Sequence, residues 1–141
     1  MLFCHIKYYT IIQQRGCMNY KVKHFYDKET YTLSYILFDE KTLDALIIDP
    51  VLNFDYASSK TSLESVDEMS EFIESKKLVP HYILETHAHA DHLTGAVELK
   101  RRYPLLKVAI GSGITKVQET FKKHFNLKDL SVDGRQFDIL L

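Results

Sequence analysis

The sequence predicts an α/β fold, one mixed β-sheet carrying about three helices, and three observations predict it. Short apolar runs, at 31–38 (rich in Tyr, Ile, Leu and Phe), 43–48, 82–85 and 107–110, have the length and composition of strands. Between and after the later runs, apolar residues recur three and four apart, as on one face of a helix. A dense set of ligand-type side chains, His87, His89, Asp91 and His92, follows directly on Tyr82-Ile83-Leu84, at the strand end where α/β sheets collect their ligand sites.

In order along the chain, Leu2 to Ile12 is mildly apolar but broken by His5 and Lys7, too short and too polar to span a membrane. No small-residue cleavage site follows it, so a signal peptide is not expected. Met18-Asn19-Tyr20 reads as the true start, with residues 1–17 an extension from an upstream start codon and 18–141 the domain. From Tyr20, the alternation Val22, His24 (or Phe25), Tyr26 predicts a first strand, and Asp27-Lys28-Glu29 suits a hairpin turn into a second strand at Tyr31–Phe38. His24 has no motif around it and reads as a strand or surface residue. Leu43–Ile48 is the third strand; its continuous apolar character predicts burial on both faces, and Asp49-Pro50 ends its pairing.

Residues Val51 to Lys60, with Asn53, Asp55, Ser58 and Ser59, read as a loop. Thr61-Ser62-Leu63-Glu64 has the form of a capping box, opening a helix whose inward face carries Leu63, Val66, Met69 (or Ser70), Phe72 and Ile73. Val79-Pro80 stops it, and Tyr82–Glu85 is the fourth strand. A second helix is expected from about Leu93 to Tyr103, with Ala96, Val97 and Tyr103 inward and Pro104 beyond its end. Lys107–Ile110 is the fifth strand. Gly111-Ser112-Gly113 reads as a strand-to-helix turn rather than a phosphate loop, leading into a third helix with Ile114, Val117, Phe121 and Phe125 on one face. His124 sits among charged helix residues and reads as solvated.

Composition narrows the function classes. Hydrophobic content of 45% and charged content of 26% are those of an ordinary globular domain. A formal net charge of -1, with no basic block, gives no argument for nucleic acid or an anionic membrane as partner. The two cysteines, Cys4 and Cys17, lack metal-type C-x-x-C spacing and are too few for a disulfide scaffold, which makes a reducing, cytoplasmic setting the default.

The chemistry gathers at Thr86-His87-Ala88-His89-Ala90-Asp91-His92. Neutral imidazole and carboxylate are ligands that Zn, Fe and Mn accept, and only small alanines stand between them. His87, His89, Asp91 and His92 are therefore the candidate metal ligands, and Asp91 is also the catalytic candidate. The bland alternative is a polar, histidine-rich turn. A helical H-E-x-x-H zinc site is absent. A barrel carrying H-x-H after a strand would need roughly 250 residues.

The pattern His87-x-His89-x-Asp91-His92 resembles the signature of the metallo-β-lactamase superfamily. Ile48-Asp49-Pro50-Val51, Ile83-Leu84-Glu85-Thr86, Val108-Ala109-Ile110-Gly111 and Val117-Gln118-Glu119-Thr120-Phe121 resemble its persulfide dioxygenase and β-lactamase hydrolase-like branch, close to glyoxalase II. The resemblance runs from about Tyr20 to Leu141 and implies the N-terminal half of an αββα sandwich. The family's later metal His, bridging Asp and closing His have no counterpart in the chain, so truncation of the domain is expected. One face of the sheet should then lie open, predicting marginal stability, aggregation or pairing with another chain, a homodimer included.

Two chemistries are implied for the complete relatives. In one, a single Fe(II) is held by His87 with a later His and Asp, and a persulfide is oxidised while His89, Asp91 and His92 orient its surroundings. In the other, His87 and His89 bind one Zn(II) and Asp91 and His92 a second, for hydrolysis of a thioester. The implied partner is a small-molecule thiol, persulfide or thioester, with no nucleic acid and no membrane. A third reading is a fragment that binds metal weakly and turns nothing over.

Overall fold

The computed structural model describes residues 20–141, so the stretch read as an N-terminal extension, with Cys4 and Cys17, lies outside the described residues. Along the chain run β1 (Tyr20–Asp27), β2 (Thr32–Asp39), β3 (Asp44–Ile48), β4 (Val51–Asp55), β5 (Lys60–Ser62), α1 (Glu64–Lys76), β6 (Val79–Glu85), β7 (Leu93–Thr94), α2 (Ala96–Arg102), β8 (Lys107–Ile110), α3 (Ile114–His124) and β9 (Ile139–Leu140). The main sheet has six strands in the order β1-β2-β3-β6-β8-β9. β1, β2 and β3 pair antiparallel, and β3, β6, β8 and β9 pair parallel, giving the mixed sheet the sequence predicts. A tight turn suffices between β1 and β2, with Tyr31 at φ 60, whereas the parallel step from β3 to β6 needs a crossover long enough to carry α1.

Alternation along the strands separates two faces. Phe25, Ile36, Phe38, Ala45, Ile47 and Ile83 are buried in a core completed by Val66, Met69 and Ile73 of α1 and by Ala96 and Leu99 of α2. Phe72 packs edge-on against Phe25 and Phe38, with ring centroids 5.9 Å and 5.5 Å away. The opposite face carries Val22, Tyr26, Leu33 and Tyr82, all exposed, beside the half-buried Leu37, Leu46, Ile48 and Leu84. Burial of β3 on both faces is thus corrected: Ala45 and Ile47 are buried, but Leu46 and Ile48 belong to the open face. Contiguous apolar surface of this kind is expected to bind an apolar dye and to drive concentration-dependent association of the 141-residue chain. Sedimentation with dye titration checks this; a monodisperse monomer that binds no dye would refute it.

Several other expectations are corrected. The stretch 51–60 is not a loop: β4 pairs with β5 and with β7 in a second, three-stranded sheet. The capping box does not form, because Thr61 is paired with Phe54 in that sheet and Leu63, at the helix N-cap, makes no side-chain capping bond. The cap comes instead from β4, where Asn53 Oδ1 accepts the Ser65 N–H at 2.8 Å. α1 ends before Val79-Pro80, at Lys77 in the left-handed region (φ 56); the Leu78 N–H reaches back to the Ile73 carbonyl at 2.9 Å, a helix-ending pattern set by local geometry. Pro80 then lies inside β6, tolerated because the β3/β6 register slips there, between Ala45 and Leu46.

Residues 93–94 are extended as β7, so α2 begins later than expected, and its buried positions are Ala96 and Leu99. Val97, expected inward, is 58% exposed, because one residue turns a helix face by about 100°. Gly95 sits in the tight join: its N–H bonds the Pro50 carbonyl at 2.7 Å, and a Cβ there would lie 2.9 Å from the Val51 carbonyl oxygen. On α3, Ile114 and Gln118 are buried, while Phe121 and Phe125 stack on each other and stay largely exposed. His24 and His124 are exposed, as their sequence contexts suggest. Among the described residues, no helix is long and apolar enough to cross a membrane.

Candidate metal centre

The site is built where two parallel strands end together. Ile48 of β3 pairs with Leu84 of β6, which sets Asp49 beside Glu85 at the carboxyl ends. Asp49 leaves the strand in the left-handed region (φ 46), a conformation that aspartate tolerates better than branched residues do. It is held there by its N–H to the Leu84 carbonyl at 3.0 Å and by the Ser34 hydroxyl donating to its own carbonyl at 2.6 Å. Its buried carboxylate is the anchor for the next loop. The Thr86 N–H donates to Asp49 Oδ1 and the Thr86 hydroxyl to Asp49 Oδ2, both at 2.7 Å.

From that anchor the loop folds its imidazoles together. Ring centroids lie 4.2 Å apart both for His87 with His89 and for His89 with His92. One ligand atom each from His87, His89 and Asp91 lies within 4.8 Å of the others. His89 Nε2 is 3.0 Å from Asp49 Oδ1 and 3.2 Å from Glu85 Oε2, while Glu85 Oε1 accepts the Thr94 hydroxyl. Asp91 Oδ2 lies 3.3 Å from both His92 Nδ1 and the Thr32 hydroxyl, so the first hairpin reaches the site through Thr32. The structure therefore brings all four sequence-predicted residues together, with His87 and Asp91 exposed, His92 buried and the His89 side chain almost wholly covered.

The fit to a metal ion can be judged from the ring nitrogens. His89 Nδ1 and His92 Nε2 are buried and have no hydrogen-bond partner. A polar atom left in that state costs about 1–3 kcal/mol, and a divalent cation coordinated by its lone pair removes the penalty. Three imidazoles and a carboxylate are a donor set that zinc or iron accepts, so the residues present fit such an ion. Protonation favours the same state. Burial pushes the His92 imidazole below its ordinary pKa, toward the neutral form a ligand needs; a bond from its own backbone N–H holds the Asp91 carboxyl below the usual range. Burial pushes the Glu85 carboxyl up, opposed by its bond from Thr94.

Beside His87 opens a cleft of ≈ 290 Å³ lined by Thr86, Ile110, Gly111, Ile114 and Val117. It offers a mainly apolar wall next to an exposed imidazole, suited to a small molecule. Sequence reasoning assigned no role at the site to Thr32, Asp49, Glu85, Thr86 or Thr94. Asp49 and Glu85 could have been found from the rule that ligand sites gather at carboxyl ends of parallel strands. Thr32 had no such signal, being 59 positions from Asp91.

Comparison with known proteins agrees with this architecture. The chain is 44% identical to "Glyoxylase B2" of Dictyostelium discoideum over 121 residues, covering 85% of the chain and 41% of that protein. It is 37% identical to "Beta-lactamase hydrolase-like protein" of Xylella fastidiosa over 131 residues, 93% of the chain and 30% of that protein. The crystal structure of ETHE1 from Myxococcus xanthus superposes with a TM-score of 0.52 at 30% identity, covering 63% of this chain and 34% of that one. The chain thus spans less than half the length of these relatives. Residues 28–136, which take in the hairpin turn, both carboxylate-bearing strand ends and the histidine loop, match the metallo-beta-lactamase superfamily, and to that superfamily the chain belongs.

Proposed function

We propose that the chain carries the metal-binding part of an enzyme acting on a small-molecule thiol derivative, and that the reaction is oxidation of a persulfide at a single Fe(II). The observation that carries the metal reading is the gathering of one ligand atom each from His87, His89 and Asp91 within 4.8 Å of one another. Support for the sulfur substrate class comes from relatives: a mouse protein named persulfide dioxygenase is 29% identical over 83 residues, and a Francisella tularensis hydroxyacylglutathione hydrolase is 30% identical over 105. A bound divalent ion would supply Lewis acidity and open coordination positions. His87 would hold it, at the edge of the cleft where the substrate sulfur lies. His89, Asp91 and His92 border the ion, and the engagement of Asp91 by Thr32 and His92 suits an orienting role better than a free ligand.

A second reading is favoured by one atom. The unpartnered Nε2 of His92 offers an imidazole to a second ion, which is the arrangement a two-zinc thioester hydrolase requires. Metal analysis separates the two readings, using the chain and any longer polypeptide that contains it, loaded anaerobically with Fe(II) or with Zn(II). Stoichiometric iron with oxygen uptake on glutathione persulfide supports the first, and two zinc ions with thioester cleavage support the second. Retention of neither metal would sink both.

A further inference from the structure

We propose that the cleft between α2, β8 and the segment following α3 binds a small apolar carboxylate, at a site separate from the metal centre. The cleft has a volume of ≈ 530 Å³, within the range of small-molecule sites. Its base is set by α2, where Val97, Lys100 and Arg101 stand three and four positions apart and so share one side of the helix. An apolar side chain and two cations are thereby presented together. Ala96, Val108 and Phe137 complete the apolar wall, the first two buried and Phe137 packed against the core. Val97, by contrast, is 58% exposed, apolar surface left uncovered in a concave place.

The polar groups of the cleft are engaged with one another or with the surrounding chain, except at Arg101. Glu85 Oε1 accepts the Thr94 hydroxyl, and Oε2 lies 3.2 Å from His89 Nε2. Gln136 is tied at both ends, Oε1 accepting from Gln118 Nε2 at 2.8 Å and Nε2 donating to the Ser131 carbonyl at 3.1 Å. Lys100 Nζ pairs with Asp138 Oδ2 at 2.6 Å, and the same oxygen takes the Val108 N–H at 2.7 Å, which fixes that wall. Arg101 bonds Glu98 through one nitrogen, Nη1. A guanidinium carries five donors in a planar fork that matches a carboxylate, so Arg101 keeps donors for a ligand. An exposed pair such as Arg101 with Glu98 is weak, and a ligand anion can share the cation.

These features define the ligand. An apolar body meets Val97, Ala96, Val108 and Phe137, and a single carboxylate meets Arg101. Glu85 stands at the other end of α2, bonded to the Thr94 hydroxyl that accepts the Ala96 N–H. From Ala96 to Arg101 the helix rises about 7 Å, which keeps the two anions apart. The cleft shares no lining residue with the one beside His87, so the inference does not depend on the metal reading.

The test is NMR titration of the chain, labelled at its Ala, Val and Leu methyls, with cinnamate and with the neutral cinnamyl alcohol. Saturable shifts are expected at the Ala96, Val97 and Val108 methyls, with cinnamate bound roughly tenfold more tightly than the alcohol. Arg101→Gln should erase that preference and leave the affinity for the alcohol unchanged. Val97→Glu should weaken both ligands, and cinnamate more. Both substituted side chains are exposed, so the fold is kept. Shifts only at Val22, Leu33, Leu37 and Leu46 would mean that the probe lies on the open sheet face, and would overturn the inference. Equal affinity for acid and alcohol, or an undiminished preference in Arg101→Gln, would do the same. His87→Ala should bind cinnamate as the unsubstituted chain does; loss of cinnamate binding there would overturn the separateness of the site. Loss of metal with cinnamate binding intact would remove the proposed function alone.

Discussion

The chain carrying His87→Ala is expected to retain no stoichiometric divalent metal while keeping its fold. His87 belongs to the ligand set in both metal readings, and the loss should be at least as large as the ~10–100-fold that follows removal of an outer partner. Its ring is exposed and its one hydrogen bond is to the adjacent Thr86, so the substitution should change folding stability by only about 0.5 kcal/mol. The stabilisation that a saturating ion gives, about 2.7 kcal/mol when free metal stands at 100 times its Kd, should vanish with it. Metal analysis after gel filtration, with thermal melts in the presence and absence of the ion, reads both quantities. Stoichiometric metal in the variant would remove the central claim. His89→Ala offers an informative contrast, because it also strips the Asp49 and Glu85 carboxylates of their shared donor and should lower stability even without metal.

Leu99→Ala should cost about 2–5 kcal/mol of stability, the range for emptying a fully covered core position. Leu99 is wholly buried, and α2 presents it to the same core that Met69 and Ile73 enter from α1. Val97→Ala, two residues away and exposed, should stay within about 0.5 kcal/mol. Urea denaturation of both variants tests how α2 is rotated. A larger loss at position 97 than at 99 would mean that the helix begins earlier, as the apolar spacing of the sequence suggests, and that β7 does not form.

That contrast also marks the limit of sequence patterning. Apolar spacing found α2 and its end before Pro104, yet chose Val97 over Leu99 for the core. The deciding event is the pairing of Leu93 and Thr94 with Leu52 and Val51, a contact between strands some forty positions apart that no local pattern reports. The same holds for the N-terminus of α1. Thr61-Ser62-Leu63-Glu64 has the letters of a capping box, but sheet pairing claims Thr61 first, and Asn53 arrives from another strand to take over the cap. In the third helix the spacing located the element, while burial stopped at Gln118, whose side-chain bonds to Gln136 and Gly134 tie it to the following segment.

What the sequence determined by itself is local or densely coded. Strand and helix order follow from side-chain periodicity, and the candidate metal-ligand cluster follows from four residues of ligand chemistry within six positions. Their neighbourhood in space was already implied by their neighbourhood in the chain. What only the tertiary structure decided is everything that depends on strands distant in sequence lying side by side: the second sheet, the open apolar face, and the carboxylates of Asp49 and Glu85 behind His89. The physical reason is that these contacts depend on strand pairing across long stretches of chain, which local side-chain spacing does not encode. Asp49 reaches His89 across 40 positions of chain only because β3 and β6 run parallel and end together.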